Sequence, residues 1–266
     1  MSDPVIHPTA VIEPGARIGA GCRIGPFCVI GADVTLAGNV TLHSHVAIAG
    51  VTTIGEGTEI WPFASIGSAP QDLKYQGERT ELIIGRNNRI REYATLNPGT
   101  AGGGGVTRVG DGNLLMVSIH VGHDCVIGDG CILVNNATLS GHVVLEDNVL
   151  LGGLSAVHQF CRIGRGAMVG GMSGVTADVI PYGMVIGNRG HLAGLNLVGL
   201  KRRGADRHAI HGLRAAYAEI FESAEGGTLQ ERAAAVAAAR ADNALVAEVA
   251  AFIAGDSSRA FTLPAG

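Results

Sequence analysis

An aliphatic side chain returns every six residues through most of the first 175 positions, 26 times in all, and no other feature constrains the fold as strongly. The beat runs from Ile6, Ile12 and Ile18 to Ile66, resumes at Ile84, Ile90 and Leu96, and continues one residue out of phase from Val109 to Val175. Six is a multiple of the two-residue repeat of a strand and not of the 3.6-residue repeat of a helix, so each hexad reads as a short strand plus a turn. Glycine often follows the beat, as at Gly19, Gly55 and Gly110, and is expected there to make a tight corner. Three hexads then close a triangular coil, and coils stacked by parallel pairing at about 4.8 Å per layer build a prism on the order of 40 Å long. The expected fold is mainly β, a parallel β-helix.

The cysteines support that frame independently. Cys22, Cys28, Cys125, Cys131 and Cys161 all stand four residues after a beat, a slot filled elsewhere by Val34, Val40, Ala64, Ala137 and Val143. The slot reads as a second, smaller inward position, and its cysteines as core filler rather than metal ligands or disulfide partners. With 47% hydrophobic but only 4% aromatic residues, the chain can bury a long core of branched and small side chains. A net charge of −4 exerts no general pull on nucleic acid. No apolar run is long enough to span a membrane and the N-terminus lacks a signal-peptide pattern, so a cytoplasmic protein without stable membrane insertion is expected.

The rhythm breaks around residues 67–82 and 98–107, which read as loops leaving a corner of the solenoid. The first holds Gln71, Asp72, Leu73, Lys74 and Tyr75; the second holds the run Gly102 to Gly105, read as a flexible arm because it lacks the ending of a phosphate loop. Past residue 180 the pattern changes. Helical spacing appears at Ile210, Leu213, Tyr217, Ile220 and Phe221, Thr228 with Glu231 forms a capping box, and another helix runs to about Gly255. The expected division is a β-helix over 1–190 and an α-helical domain over 191–266.

Ten histidines are present and unevenly placed. The coil register stacks position 123 under 141 and 159, so His123, Gly141, His142, His158 and Gln159 should cluster over three layers, with His120 on the same coil as His123. A single histidine at a corner is ordinarily a solvated residue; four converging, none in an inward slot, point to chemistry. Three could hold zinc, as in the γ-class carbonic anhydrases, or one could move a proton near neutral pH, and spacing leaves both open.

The wider strings go further. Asn113-Leu114-Leu115-Met116, His120-Val121-Gly122-His123-Asp124-Cys125, Asn135 to His142, Ala156-Val157-His158-Gln159-Phe160-Cys161, Gln71 to Tyr75 and Gly199-Leu200-Lys201-Arg202-Arg203-Gly204 resemble the UDP-N-acetylglucosamine O-acyltransferases of lipid A biosynthesis. The resemblance implies a left-handed prism, against the usual right-handed crossover rule. It also implies a homotrimer with sites between prisms, no cofactor and no catalytic metal, and transfer of a 3-hydroxyacyl group from acyl carrier protein to the 3-hydroxyl of UDP-N-acetylglucosamine. His123 then matches the general base, Asp124 the residue that orients it, and the Gly141 amide the oxyanion donor. That pairing requires position 123 to lie at a corner, because neighbours on a strand point to opposite faces.

By the same resemblance His120, His142, His158 and Gln159 contact the acceptor sugar and diphosphate, and Gln71, Asp72 and Lys74 form an arm reaching a neighbouring subunit's cleft. Asn196, Arg202 and Arg203 correspond to nucleotide contacts, and Lys201, Arg207 and Arg214 offer charge for an acidic carrier. Gly171 matches a position where a side chain would truncate the acyl channel, with Met172 beside it and Arg189 near the channel's far end. The sequence departs from some members of the family at Val198, where an acidic residue would contact the nucleotide or sugar, and at Arg189, where they carry a histidine. Four alternatives compete: the N-acyltransferase that acts later in lipid A synthesis, disfavoured because it normally carries a separate domain before its hexads whereas here the beat starts at Ile6; N-acylation of a 3-amino UDP-sugar; a zinc enzyme of the carbonic anhydrase type; and an inert binding solenoid.

Overall fold

Every aliphatic beat closes a strand, most of them only two residues long, and the strands of the described residues assemble into three sheets of 11, 9 and 8 strands, parallel but for the last strand of the first, that form the faces of a left-handed prism. The computed structural model describes residues 2–222 and 226–265. One face carries the column Leu96, Val121, Leu139, Val157 and Val175, each paired in register with the next. All five lie at 1% exposure or less. Full burial of one such side chain stabilises by about 1.5–3 kcal/mol, and the column repeats it in every layer.

The cysteine slot is inward as expected: all five are free thiols at 0% exposure. Burial pushes the Cys125 and Cys131 thiols up to about 12, so they are inert filler at neutral pH.

Corners are made differently from the expectation. Among the described residues the left-handed backbone conformation falls three residues after the beat at fourteen non-glycine positions, including Asp124, His142 and Phe160. The glycines directly after the beat serve a different end. A Cβ at Gly19 would lie 2.6 Å from the Ala37 carbonyl carbon, and one at Gly25 2.8 Å from that of His43. They are required by the close approach of successive coils, not by the turn.

Two coils are lengthened. Val51–Ile54 pairs with Glu81–Ile84, thirty residues on, and that strand with Val106–Val109, twenty-five on, which absorbs both insertions without breaking the ladder. The glycine-rich second insertion is not a free arm. Ala101–Gly103 forms a short 3-10 turn, and a Cβ at Gly103 would collide with the Asp124 carboxylate.

Beyond Val175 the prism is capped. Gly183–Ile186 continues one sheet and His191–Leu195 turns back antiparallel on it, so the expected boundary at 190 falls inside a hairpin. Among the described residues four helices follow: α1 (Leu197–Arg202), α2 (Arg207–Phe221), α3 (Leu229–Ala239) and α4 (Ala244–Ala254). Thr228 and Glu231 make the expected reciprocal cap of α3. The helices are pinned to the prism by Arg162, which donates to buried Asp178 at 2.7 Å and lies 4.4 Å over the Phe252 ring. No helix among the described residues is long and apolar enough to cross a membrane.

Candidate active site

His123 and Asp124 occupy the corner that follows the His120–Val121 strand. Asp124 adopts φ 59°, and this reversal lets two sequence neighbours pair: His123 Nδ1 lies 2.8 Å from Asp124 Oδ2. The Asp124 side chain is 1% exposed. It accepts the Thr100 amide at 2.9 Å and the Thr100 hydroxyl at 2.6 Å, both from the second insertion, while Thr107 Oγ1 accepts the Asp124 amide at 2.7 Å. Thr100 and Thr107 were not foreseen; they lie in and beside the segment where the beat is lost.

The layer above bears directly on the imidazole. A Cβ at Gly141 would come within 2.5 Å of His123 Cε1, so any side chain there would displace the ring. Among the described residues the Gly141 amide donates to no protein acceptor. His142 follows at φ 62°, with its ring 5.0 Å from that of His123 and edge-on to it, and it stacks on Phe160 at 4.3 Å. The ladder bonds from the His142 amide to the His123 carbonyl and from Phe160 to Gly141 seal the three-layer column. Burial lowers the pKa of His142, and burial followed by the charge of His123 lowers that of His120, whose Nδ1 meets Thr95 Oγ1 at 2.8 Å. Both are therefore neutral donors or acceptors at neutral pH.

His123, Asp124 and His142 offer three ligand atoms within 4.8 Å of one another. Both Asp124 oxygens are already engaged, by Thr100 and by His123, which suits an orienting carboxylate better than a metal ligand.

The arm of the same chain lies within electrostatic reach of this corner. Asp72 and Lys74 act electrostatically on His142, and Asp72 Oδ1 accepts the Lys74 amide at 3.0 Å. Leu73, at the tip, is fully exposed, as is most of Gln71. On the topmost layer His158 and Gln159 are exposed and meet Arg259 of the C-terminal tail, a residue with no sequence signal.

The remaining candidates lie elsewhere on the same chain. Arg203 packs over Gly166, at the corner that follows a different sheet, and with Arg202 borders a largely apolar groove of ≈ 590 Å³ lined by Leu150, Met168, Met184 and Val198. Asn196 is a buried helix cap: its Oδ1 accepts the Gly199 amide and its Nδ2 donates to the Gly166 carbonyl, both at 2.9 Å. Its evident work is to aim α1, which carries Arg202. Gly171 and Met172 stand at the third corner, Met172 73% exposed, and Arg189 is exposed at the hairpin tip. One chain thus separates the histidine column from the arginine pair.

Residues 1–32 and 107–141 match the model for the bacterial transferase hexapeptide (six repeats), and the prism with its histidine–carboxylate pair defines a hexapeptide-repeat acyltransferase. Residues 178–262 match the model described as UDP-N-acetylglucosamine O-acyltransferase, domain 2. The chain is 59% identical over 205 residues to the acyl-carrier-protein–UDP-N-acetylglucosamine O-acyltransferase of Paracoccus denitrificans, covering 77% of each chain. Identity to the Rhizobium leguminosarum protein of the same name is 53%, over 83% of this chain and 80% of that one. A crystal structure of a UDP-N-acetylglucosamine acyltransferase superposes with TM-score 0.93 at 46% identity, covering 98% of this chain and 99% of that one. The Moraxella catarrhalis enzyme gives 0.93 at 42%, covering 97% and 99%. The chain belongs to the UDP-N-acetylglucosamine O-acyltransferase family.

Proposed function

We propose that the chain transfers a 3-hydroxyacyl group from acyl carrier protein to the 3-hydroxyl of UDP-N-acetylglucosamine, the first step of lipid A biosynthesis, with His123 as general base. The observation that carries the reading is the His123–Asp124 pair set under the Gly141 amide. Nδ1–H donates to the carboxylate, which leaves the Nε2 lone pair to take the proton of the sugar hydroxyl as it attacks the thioester carbonyl. The tetrahedral oxyanion is stabilised by the free Gly141 N–H. Collapse breaks the carbon–sulfur bond, and the His123 imidazolium returns its proton to the carrier's thiolate. Asp124 compensates the imidazolium charge throughout.

His142, His120, His158 and Gln159 bind the acceptor's sugar and diphosphate beside this base, with Asp72 and Lys74 above them. Arg202 and Arg203 grip the nucleotide phosphates through forked donors. Because these guanidiniums sit at another corner of the chain, the complete site forms between copies in a homotrimer. An exposed edge of stacked Phe27, His45, Phe63 and Tyr93 rings, continued by Leu154 and Met172, supplies apolar surface for that association. Gly171 leaves room for the acyl chain along it.

A mass-spectrometric transfer assay tests the reading, using a panel of 3-hydroxyacyl carrier proteins with 3-hydroxy and 3-amino UDP-sugars. The expected product is acylated UDP-N-acetylglucosamine, lost with His123→Ala. Product with the amino sugar alone, or undiminished turnover without His123, overturns it.

A further inference from the structure

We propose that Arg259 is a positioning residue of the acceptor site, holding His158 in the Nε2–H tautomer so that the ring presents a hydrogen-bond donor to the bound ligand's oxygens. The ligand's identity as an oxygen-rich UDP-sugar rests on the function proposed above; the tautomer does not.

The C-terminal tail places Arg259 by backbone pairing. After α4 the chain returns across the prism's upper end, where the Asp178 amide donates to Ala260 and the Thr262 amide to Asp178, both at 2.8 Å. Ser257 Oγ accepts the Arg259 amide at 3.0 Å, fixing the start of the segment. From there the guanidinium reaches the topmost coil of the histidine column. Nη2 stands 3.0 Å from His158 Nδ1, Nε donates to the Gln159 carbonyl at 3.1 Å, and Cζ lies 5.9 Å over the Phe160 ring that stacks on His142.

A guanidinium has five N–H donors and no acceptor. A 3.0 Å contact with it therefore requires Nδ1 to supply a lone pair, and the neutral ring must carry its proton on Nε2. The competing arrangement is built into the same turn. The Gln159 carbonyl also lies 3.3 Å from His158 Nδ1 and would accept a proton from it. Arg259 suppresses that arrangement twice, by occupying the carbonyl with Nε and by confronting Nδ1 with a donor. Remove the guanidinium, and the carbonyl becomes the natural partner of an Nδ1–H ring, turning the Nε2 edge from donor to acceptor. An acceptor facing phosphate oxygens repels where a donor binds.

The full-length protein with ¹⁵N-histidine, read by long-range ¹H–¹⁵N correlation and assigned by loss of one signal in His158→Gln, tests this directly. His158 should show Nε2–H in the wild type and shift toward Nδ1–H in Arg259→Ala. Arg259→Lys, which keeps one donor but not the fork, should stay nearer the wild type. In the transfer assay, Arg259→Ala should raise KM for UDP-N-acetylglucosamine about tenfold, the scale of one hydrogen bond to a charged group, with kcat changed less than threefold and lysine restoring most of the loss. An Nδ1–H wild type, a tautomer unmoved by Arg259→Ala, or an unchanged KM overturns the proposal. Absence of acyl transfer by the wild type would refute the enzymatic reading alone, since the tautomer is read without turnover.

Discussion

Asp124→Asn is the sharpest single test of the proton-transfer geometry. The change is nearly isosteric, so the corner keeps its shape, and with its oxygen toward the Thr100 amide the new side chain can donate its NH2 to the Thr100 hydroxyl in place of accepting from it. What changes is the edge facing His123. An amide whose oxygen faces the Thr100 N–H presents its NH2 to Nδ1, forcing the ring to Nε2–H and removing the base; the opposite rotamer accepts weakly from Nδ1 but sets its NH2 against the Thr100 N–H. In either case the charge opposite the imidazolium is gone. At 2.8 Å and an effective dielectric constant of about 20, the gross attraction is about 6 kcal/mol. Desolvation of a pair this buried offsets part of it, leaving about 3–4 kcal/mol in the transition state, a loss of roughly 10²–10³ in kcat. KM for the nucleotide sugar should move less than threefold, because Asp124 touches no expected ligand group, and the melting temperature should change little. The assay is steady-state transfer with saturating carrier substrate. A variant retaining more than a tenth of wild-type kcat would refute the reasoning, as would a loss confined to KM.

Gly141→Ala should lower kcat at least 100-fold without unfolding the protein, because its Cβ would lie 2.5 Å from His123 Cε1 while the backbone there needs no glycine conformation; steady-state rates with circular dichroism check this. Arg203→Ala should raise KM for UDP-N-acetylglucosamine about 10- to 100-fold with kcat nearly unchanged, and equal KM values would remove the guanidinium from the site. Thermal melts across pH should show the cost of burying histidine. The His120 pKa is lowered by burial and then by His123, so the unfolded chain binds the proton more readily; stability is full above the ordinary histidine value and falls as pH drops through it toward the depressed one. His120→Asn should flatten that slope, and an unaltered slope would exclude the residue as its source.

Much of this architecture is legible in the chain because the prism is periodic. Every beat closes a strand, the five cysteines fill one inward slot, and the coil register alone places Gly141 above His123 with His142 beside it. What escapes is whatever the period does not encode. Thr100 and the glycine run around it sit where the beat is lost, so their packing onto Asp124 leaves no trace in spacing. Asn196 carries a motif residue's lettering but is occupied as the cap of α1, a six-residue helix too short to show periodicity. Arg259 meets His158 across 101 positions of sequence, a contact set by how the tail docks on the finished prism.

The placement of the histidine–carboxylate pair at a corner also explains how a repetitive scaffold acquires chemistry. Within a strand, adjacent side chains diverge to opposite faces, and a prism face can offer only one of each pair to a ligand. The left-handed residue at the corner breaks that rule, bringing Asp124 back toward His123 at a local backbone cost of about 1 kcal/mol for a non-glycine residue. The ladder bonds on both sides of the corner over-determine the conformation, so the strain is held without movement. An imidazole fixed by a buried carboxylate below and the Gly141 backbone above needs little reorganisation as charge develops on it. In the proposed mechanism preorganisation is a property of the coil's turn, repeated through the prism and given reactive side chains at one place.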